Sequence, residues 1–98
     1  MKAAEHRHYA KLVEIGCIVC RGLGYETVPE IHHLRAHTGM SVRGHWLEAI
    51  PLCPAHHRGL DHPNTASIHL DKARFIALYG TERELLEKVN ALLIPRSK

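Results

Sequence analysis

The chain contains no apolar segment long enough to cross a membrane. Its stretch Leu12–Val19 is interrupted by Glu14 and Gly16, whereas a membrane-spanning helix needs about 20 predominantly apolar residues. The N-terminal residues also lack the apolar core and the small-residue cleavage site of a secretory signal. We therefore expect a soluble protein of the cytoplasm.

Cysteine is scarce, and the three cysteines of the 98 residues are an odd number. An odd count argues against a fully paired disulfide framework, and a Cys-x-x-Cys pair in a cytosolic protein is typical of metal or redox chemistry. Aromatic residues make up only 5% of the chain, and its formal net charge of +3 is a small basic excess. The length predicts a single domain, residues 1–98, whose thin core a bound metal would help to stabilise.

Histidine is abundant by contrast. Ten residues are histidine, and eight of them lie from His32 to His69, both included. Imidazole serves both proton transfer and metal binding near neutral pH. The coincidence of this cluster with the cysteines favours a metal site over a merely solvated polar surface.

The pattern of apolar, glycine and proline residues predicts an α+β fold with two strands and flanking helices. Gly16 is expected to end the first helix, Asp71 to cap the helix over Leu70–Leu78, and Thr81 with Glu84 to form a capping box on the last helix. There is no internal repeat. The expected order is a helix over Lys2–Ile15, a Cys17–Cys20 knuckle, strands over Val28–Leu34 and Trp46–Leu52 joined by a loop at His37–Gly44, a short helix from Pro54, and helices over Leu70–Leu78 and Thr81–Leu93.

Two half-sites of equal spacing predict a structural zinc ion. Cys17-x-x-Cys20 and Cys53-x-x-His56 together supply the four ligands of a closed tetrahedral site. The long gap between the half-sites is what an inserted hairpin would produce. The alternative is that the first pair is a thioredoxin-like redox motif, although no parallel βαβ pattern surrounds it.

A second metal site is predicted beside the first. His32 and His33 are neighbours on a strand and should point to opposite faces, so one could bind metal while the other acts as a base. His57 should diverge from His56 by about 100° on a helix. It could share an ion with His32 and with Asp61, four residues further on, or with His62 if the helix frays at that point.

These residues resemble a known family. Glu30-Ile-His-His-Leu34, a hairpin, and then Ile50-Pro-Leu-Cys-x-x-His-His57 resemble the ββα-metal (HNH, His-Me finger) nucleases. Cys17 through Leu86 is most similar to the phage recombination enhancement nucleases, which act on DNA together with RecA. The resemblance implies a zinc-bearing ββα core at about residues 17–62, a C-terminal helical part at 70–93, and a bacterial host cell.

The resemblance also implies roles for individual residues. His33 would be the general base, and His32 and His57 would hold a catalytic Mg²⁺ or Mn²⁺, with Zn²⁺ as a substitute in crystals. The third ligand stays open among Asp61, His62 and His69. His45 and Glu48 stand near the position of the family's middle asparagine.

Basic residues near these motifs are candidates for phosphate contacts, and the single tryptophan, Trp46, is expected to anchor the hairpin rather than stack on a base. The leading hypothesis is therefore a metal-dependent DNA endonuclease. The alternatives are a non-catalytic nucleic-acid-binding module and a zinc-stabilised scaffold for protein contacts. The candidate phosphate contacts are Arg35, Arg43, Arg58, Lys72 and Arg74.

Overall fold

The computed structural model describes residues 3–34, 46–59 and 65–93. They form a small α+β fold in which a two-stranded antiparallel sheet packs among helices. None of the helices in these ranges is long and apolar enough to cross a membrane. The elements are α1 (Ala3–Ile15), α2 (Ile18–Gly22), β1 (Glu30–His33), β2 (Ala49–Leu52), α3 (Pro54–Arg58), α4 (Lys72–Tyr79) and α5 (Glu82–Leu93).

The hairpin register places the two histidines of β1. His32 lies opposite Ile50, and His33 lies opposite Ala49. Because successive strand residues point to opposite faces, His32 and His33 leave the strand on different sides. Both strands are shorter than expected. Val28 is 81% exposed and lies outside β1, while Trp46 belongs to the turn that precedes β2.

The core lies between the sheet and the longer helices, and its largest members are fully buried. α1 contributes Leu12, β2 contributes Ile50, α4 contributes Phe75, and α5 contributes Val89. The three cysteines are buried within the same cluster. The zinc half-sites are thus part of the only extended core in the described residues. A zinc ion bound there would therefore stabilise the fold.

Glycine ends two helices where a left-handed residue is needed. Gly16 has φ +77 and donates its N–H to Leu12 at the end of α1, as expected. Gly59 also has φ +77 and ends α3 after Arg58. A Cβ at Gly59 would lie 2.9 Å from Leu70 Cδ1, but that atom ends an exposed side chain that can move, so the left-handed φ is the main reason for glycine here.

The caps of the last two helices differ from each other. Thr81 and Glu84 form the expected capping box: Glu84 N–H donates to Thr81 Oγ1 at 3.1 Å, and Thr81 N–H donates to Glu84 Oε1 at 2.8 Å. Asp71 occupies the N-cap position of α4 as expected, but its carboxylate makes no capping hydrogen bond. That carboxylate faces Arg74 at 3.9 Å instead.

Candidate metal centres

The predicted zinc ligands converge at one buried point. Cys17 and Cys20 flank the start of α2, while Cys53 precedes α3 and His56 lies on it. His56 Nδ1 lies 3.6 Å from Cys17 Sγ, 3.5 Å from Cys20 Sγ and 3.3 Å from Cys53 Sγ, and the last two sulfurs are 3.8 Å apart.

These separations match a tetrahedral zinc site. With Zn–S of about 2.3 Å and Zn–N of about 2.0–2.1 Å, tetrahedral angles place two sulfurs about 3.8 Å apart and a sulfur about 3.6 Å from a nitrogen. Burial raises the pKa of Cys17 to about 12 and also raises the pKa of Cys20. A divalent cation reverses this effect by stabilising the thiolates. The buried Cys₃His cluster is therefore consistent with a structural zinc ion.

A second cluster is made of three imidazoles. His32 on β1, His57 on α3 and His69 on the segment before α4 each offer one ring nitrogen, and the three nitrogens lie within 4.8 Å of one another. His57 Nε2 is 3.2 Å from His32 Nδ1 and 3.1 Å from His69 Nε2. Tetrahedral coordination at about 2.0–2.1 Å would separate two nitrogens by about 3.3 Å, so the cluster has the dimensions of a metal site.

Two carboxylates orient two of these imidazoles. His32 Nε2–H donates to Glu82 Oε2 at 2.6 Å, and His57 Nδ1–H donates to Glu30 Oε1 at 2.7 Å. A neutral imidazole that donates from one nitrogen presents a lone pair on the other. The carboxylates therefore turn His32 Nδ1 and His57 Nε2 toward each other as electron-pair donors, an arrangement that a shared cation stabilises. Metal-binding histidines are commonly held in this way.

Arg58 keeps Glu30 in its charged form. The guanidinium donates from Nε to Glu30 Oε1 at 3.0 Å and makes a second contact to Oε2. These hydrogen bonds, and then the one from His57, lower the pKa of Glu30 to about 2. Glu30 is therefore a carboxylate at neutral pH, and it accepts the hydrogen bond that His57 Nδ1–H donates.

The backbone explains how His69 reaches the cluster. The last carbonyls of α3 have no partners within the helix, and the following segment supplies them. Ile68 N–H donates to His56 at 2.9 Å, and His69 N–H donates to His57 at 3.2 Å. Because the close approach at Gly59 permits this docking, the end of α3 places His69 beside His57.

His33 lies outside the imidazole cluster. Its Nε2 is 3.0 Å from Tyr9 Oη on α1, and the two rings meet edge to face with centroids 6.1 Å apart. The expected base is thus next to His32 in sequence but directed toward the first helix. No sequence motif distinguishes Tyr9, because its contact with His33 joins residues that are 24 positions apart.

Of the remaining site residues predicted from sequence, some lie within the described part of the chain and the others lie outside it. Arg58 is paired with Glu30, and Lys72 and Arg74 are exposed on α4. Glu48 faces Arg83 at 3.4 Å. The others lie outside the described residues, namely Asp61, His62, Arg35, Arg43 and His45.

Comparison with known families identifies one to which the chain is similar. A family model described as "Recombination enhancement, RecA-dependent nuclease" matches residues 2–94. No curated protein and no solved structure matches the chain. Since the match covers nearly the whole sequence, this chain belongs to the recombination enhancement, RecA-dependent nuclease family.

Proposed function

We propose that this chain is an HNH-type DNA endonuclease that hydrolyses phosphodiester bonds with a divalent metal ion and acts together with RecA. Its ββα-metal core would be β1, β2 and α3. The observation that carries the proposal is the convergence of His32, His57 and His69, with Glu82 and Glu30 on the outer nitrogens of the first two. The family's description supports both the nuclease activity and the RecA dependence.

His32, His57 and His69 would hold the ion, which would supply positive charge to stabilise the scissile phosphate and the leaving 3′-oxygen. His33 is the general base. If its Nε2–H donates to Tyr9 Oη, Nδ1 is the nitrogen that takes the proton from the attacking water. Tyr9 would then orient the base, a role that the family pattern gives to an asparagine.

The donor set favours some ions over others. Imidazole ligands suit Zn²⁺ and the later first-row transition metals best, whereas Mg²⁺ prefers oxygen ligands and retains most of its waters; Mn²⁺ also favours oxygen ligands but, as a transition metal, accepts nitrogen more readily than Mg²⁺ does. Three imidazoles therefore make Mn²⁺ the better candidate of the two ions expected from sequence. We expect Mn²⁺ to support cleavage at lower concentration than Mg²⁺.

Plasmid nicking tests the proposal. Wild type is incubated with supercoiled DNA and Mn²⁺ or Mg²⁺, with and without RecA filaments. His57→Ala should abolish metal-dependent cleavage, because it removes the central nitrogen of the cluster. His33→Ala should lower the rate by roughly 10²- to 10⁴-fold while retaining Mn²⁺ binding. His6→Ala, which removes an exposed histidine of α1, is the matched control and should retain full activity.

Two outcomes would contradict the proposal. A wild-type chain that retains its zinc and is inert with every ion, even on RecA filaments, would favour the non-catalytic nucleic-acid-binding module. Equal activity of wild type and His57→Ala would show that the observed cleavage does not come from the imidazole cluster.

A further inference from the structure

A groove beside α1 combines positive charge with an aromatic ring. It has a volume of about 220 Å³ and lies between α1, the turn before β2 and the end of α5. Arg7, His8 and Lys11 line it from α1, Trp46 and Leu47 from the turn, and Leu93 from α5. None of these residues belongs to the zinc cluster or the imidazole cluster.

The positive charges of the groove are available to a ligand. Arg7 and Lys11 are four residues apart and therefore lie on one face of α1. Both are exposed, and neither forms an ion pair with any residue in the ranges 3–34, 46–59 and 65–93. A pair of cations at this spacing suits successive phosphates of one strand.

The aromatic component is Trp46, which the sequence alone predicts to anchor the hairpin rather than to stack on a base. Its ring is half-buried and meets the His8 ring edge to face, with centroids 5.4 Å apart. Burial and the nearby Lys11 charge lower the pKa of His8, so the imidazole is mostly neutral at pH 7 and packs as an aromatic group. Trp46 is thus supported from one side by α1 while it lines the groove with another part of its surface.

Two residues that line the groove are close along the chain to the contacts of the proposed general base. Tyr9, which contacts His33, is adjacent to His8 on α1. Ala49, the partner of His33 across the hairpin, is three residues from Trp46, which limits that separation to about 11 Å along the chain. A strand that passes His33 could therefore reach Trp46 within a few nucleotides.

We propose that this groove binds single-stranded DNA, with phosphates on Arg7 and Lys11 and one base stacked on Trp46. Positive charge that follows the backbone and an aromatic platform for bases are the two components of single-strand binding sites. A base must be unstacked to reach the indole, which favours a single strand over an intact duplex. The inference takes DNA as the ligand from the proposed nuclease function, and it assigns the groove to the strand that extends beyond the cleavage site.

Fluorescence of Trp46 gives a direct test, because it is the only tryptophan of the chain. The intact protein, with its structural zinc, is titrated with oligo(dT) in buffer without added divalent ions. We expect the indole emission to be quenched by the single strand and much less by a blunt duplex. Unchanged emission during binding, or equal quenching by the duplex, would overturn the proposal.

Variants test the same contacts by anisotropy of a labelled oligo(dT). Lys11→Gln should weaken binding about fivefold at 0.1 M salt and reduce the slope of log K against log salt by about 0.7. Lys88→Gln, an exposed change on α5, removes the same charge elsewhere and should do neither. Trp46→Ala should weaken binding by roughly fivefold to 150-fold, whereas Trp46→Phe preserves most of the affinity and shows that the domain is folded. Equal effects of Lys11→Gln and Lys88→Gln would overturn the proposal.

The two proposals fail separately. His57→Ala should lose cleavage and keep the Trp46 quench, because the groove does not use the metal. A chain that quenches normally but never cleaves would refute the nuclease function alone, and a chain that cleaves without any quench would refute the groove alone.

Discussion

Glu82 should control metal binding although it is far in sequence from every metal ligand. Its carboxylate is buried and accepts the His32 Nε2–H at 2.6 Å, so it fixes both the ring orientation and the nitrogen that faces the cluster. Removing such a partner from a metal-binding histidine typically lowers metal affinity 10- to 100-fold. That loss corresponds to about 1.4–2.7 kcal/mol of binding free energy.

Two substitutions separate geometry from charge. Glu82→Gln leaves a carbonyl oxygen that can still accept the hydrogen bond from His32 Nε2–H, so we expect its loss of metal affinity to lie at the small end of this range. Glu82→Ala leaves the His32 Nε2–H buried without its partner, which adds a stability cost of about 1–3 kcal/mol. Glu87→Gln, an exposed change on the same helix, is the control. Calorimetric titration with Mn²⁺ gives the affinities, and thermal melting gives the stability.

The zinc content of each variant must stay at the wild-type value, so that the loss of Mn²⁺ affinity refers to the imidazole cluster. Mn²⁺ affinities that are equal in wild type, Glu82→Ala and Glu87→Gln would refute the reasoning, because His32 would then not be a ligand oriented by Glu82.

Two further changes test the support of the site. Cys53→Ser should release the structural zinc and unfold the domain, because apparent zinc-binding free energies of about 10–16 kcal/mol exceed the stability of so small a core. Zinc analysis measures the metal content, and circular dichroism measures the folded structure. A variant that is free of zinc but fully folded would contradict this expectation. Gly59→Ala should lower the free energy of unfolding by about 1–3 kcal/mol, because the left-handed φ of this residue disfavours a Cβ. A denaturant titration that matches wild type would contradict this expectation.

The sequence carries a clear signal for part of the site. The alternation of side chains along a strand separates His32 from His33, and the helical angle between adjacent residues separates His56 from His57. Both predictions agree with the observed directions, since His56 faces the sulfurs and His57 faces His32. The cysteine spacing likewise predicts the Cys₃His cluster.

Other parts of the site depend on contacts distant in sequence. Glu82 starts the last helix, where an acidic residue is usual for helix stability, so nothing local distinguishes it. His69 reaches the cluster only because its segment satisfies the carbonyls at the end of α3. Glu30 could have been found, because it is two residues from His32 and shares its face of the strand.

The most direct test of the central claim is the position of Mn²⁺ in crystals, located by anomalous scattering. We predict one manganese within bonding distance of His32 Nδ1, His57 Nε2 and His69 Nε2, and a separate zinc ion among the cysteines. A manganese peak that lies away from all three imidazoles in a chain that cleaves DNA would contradict the account.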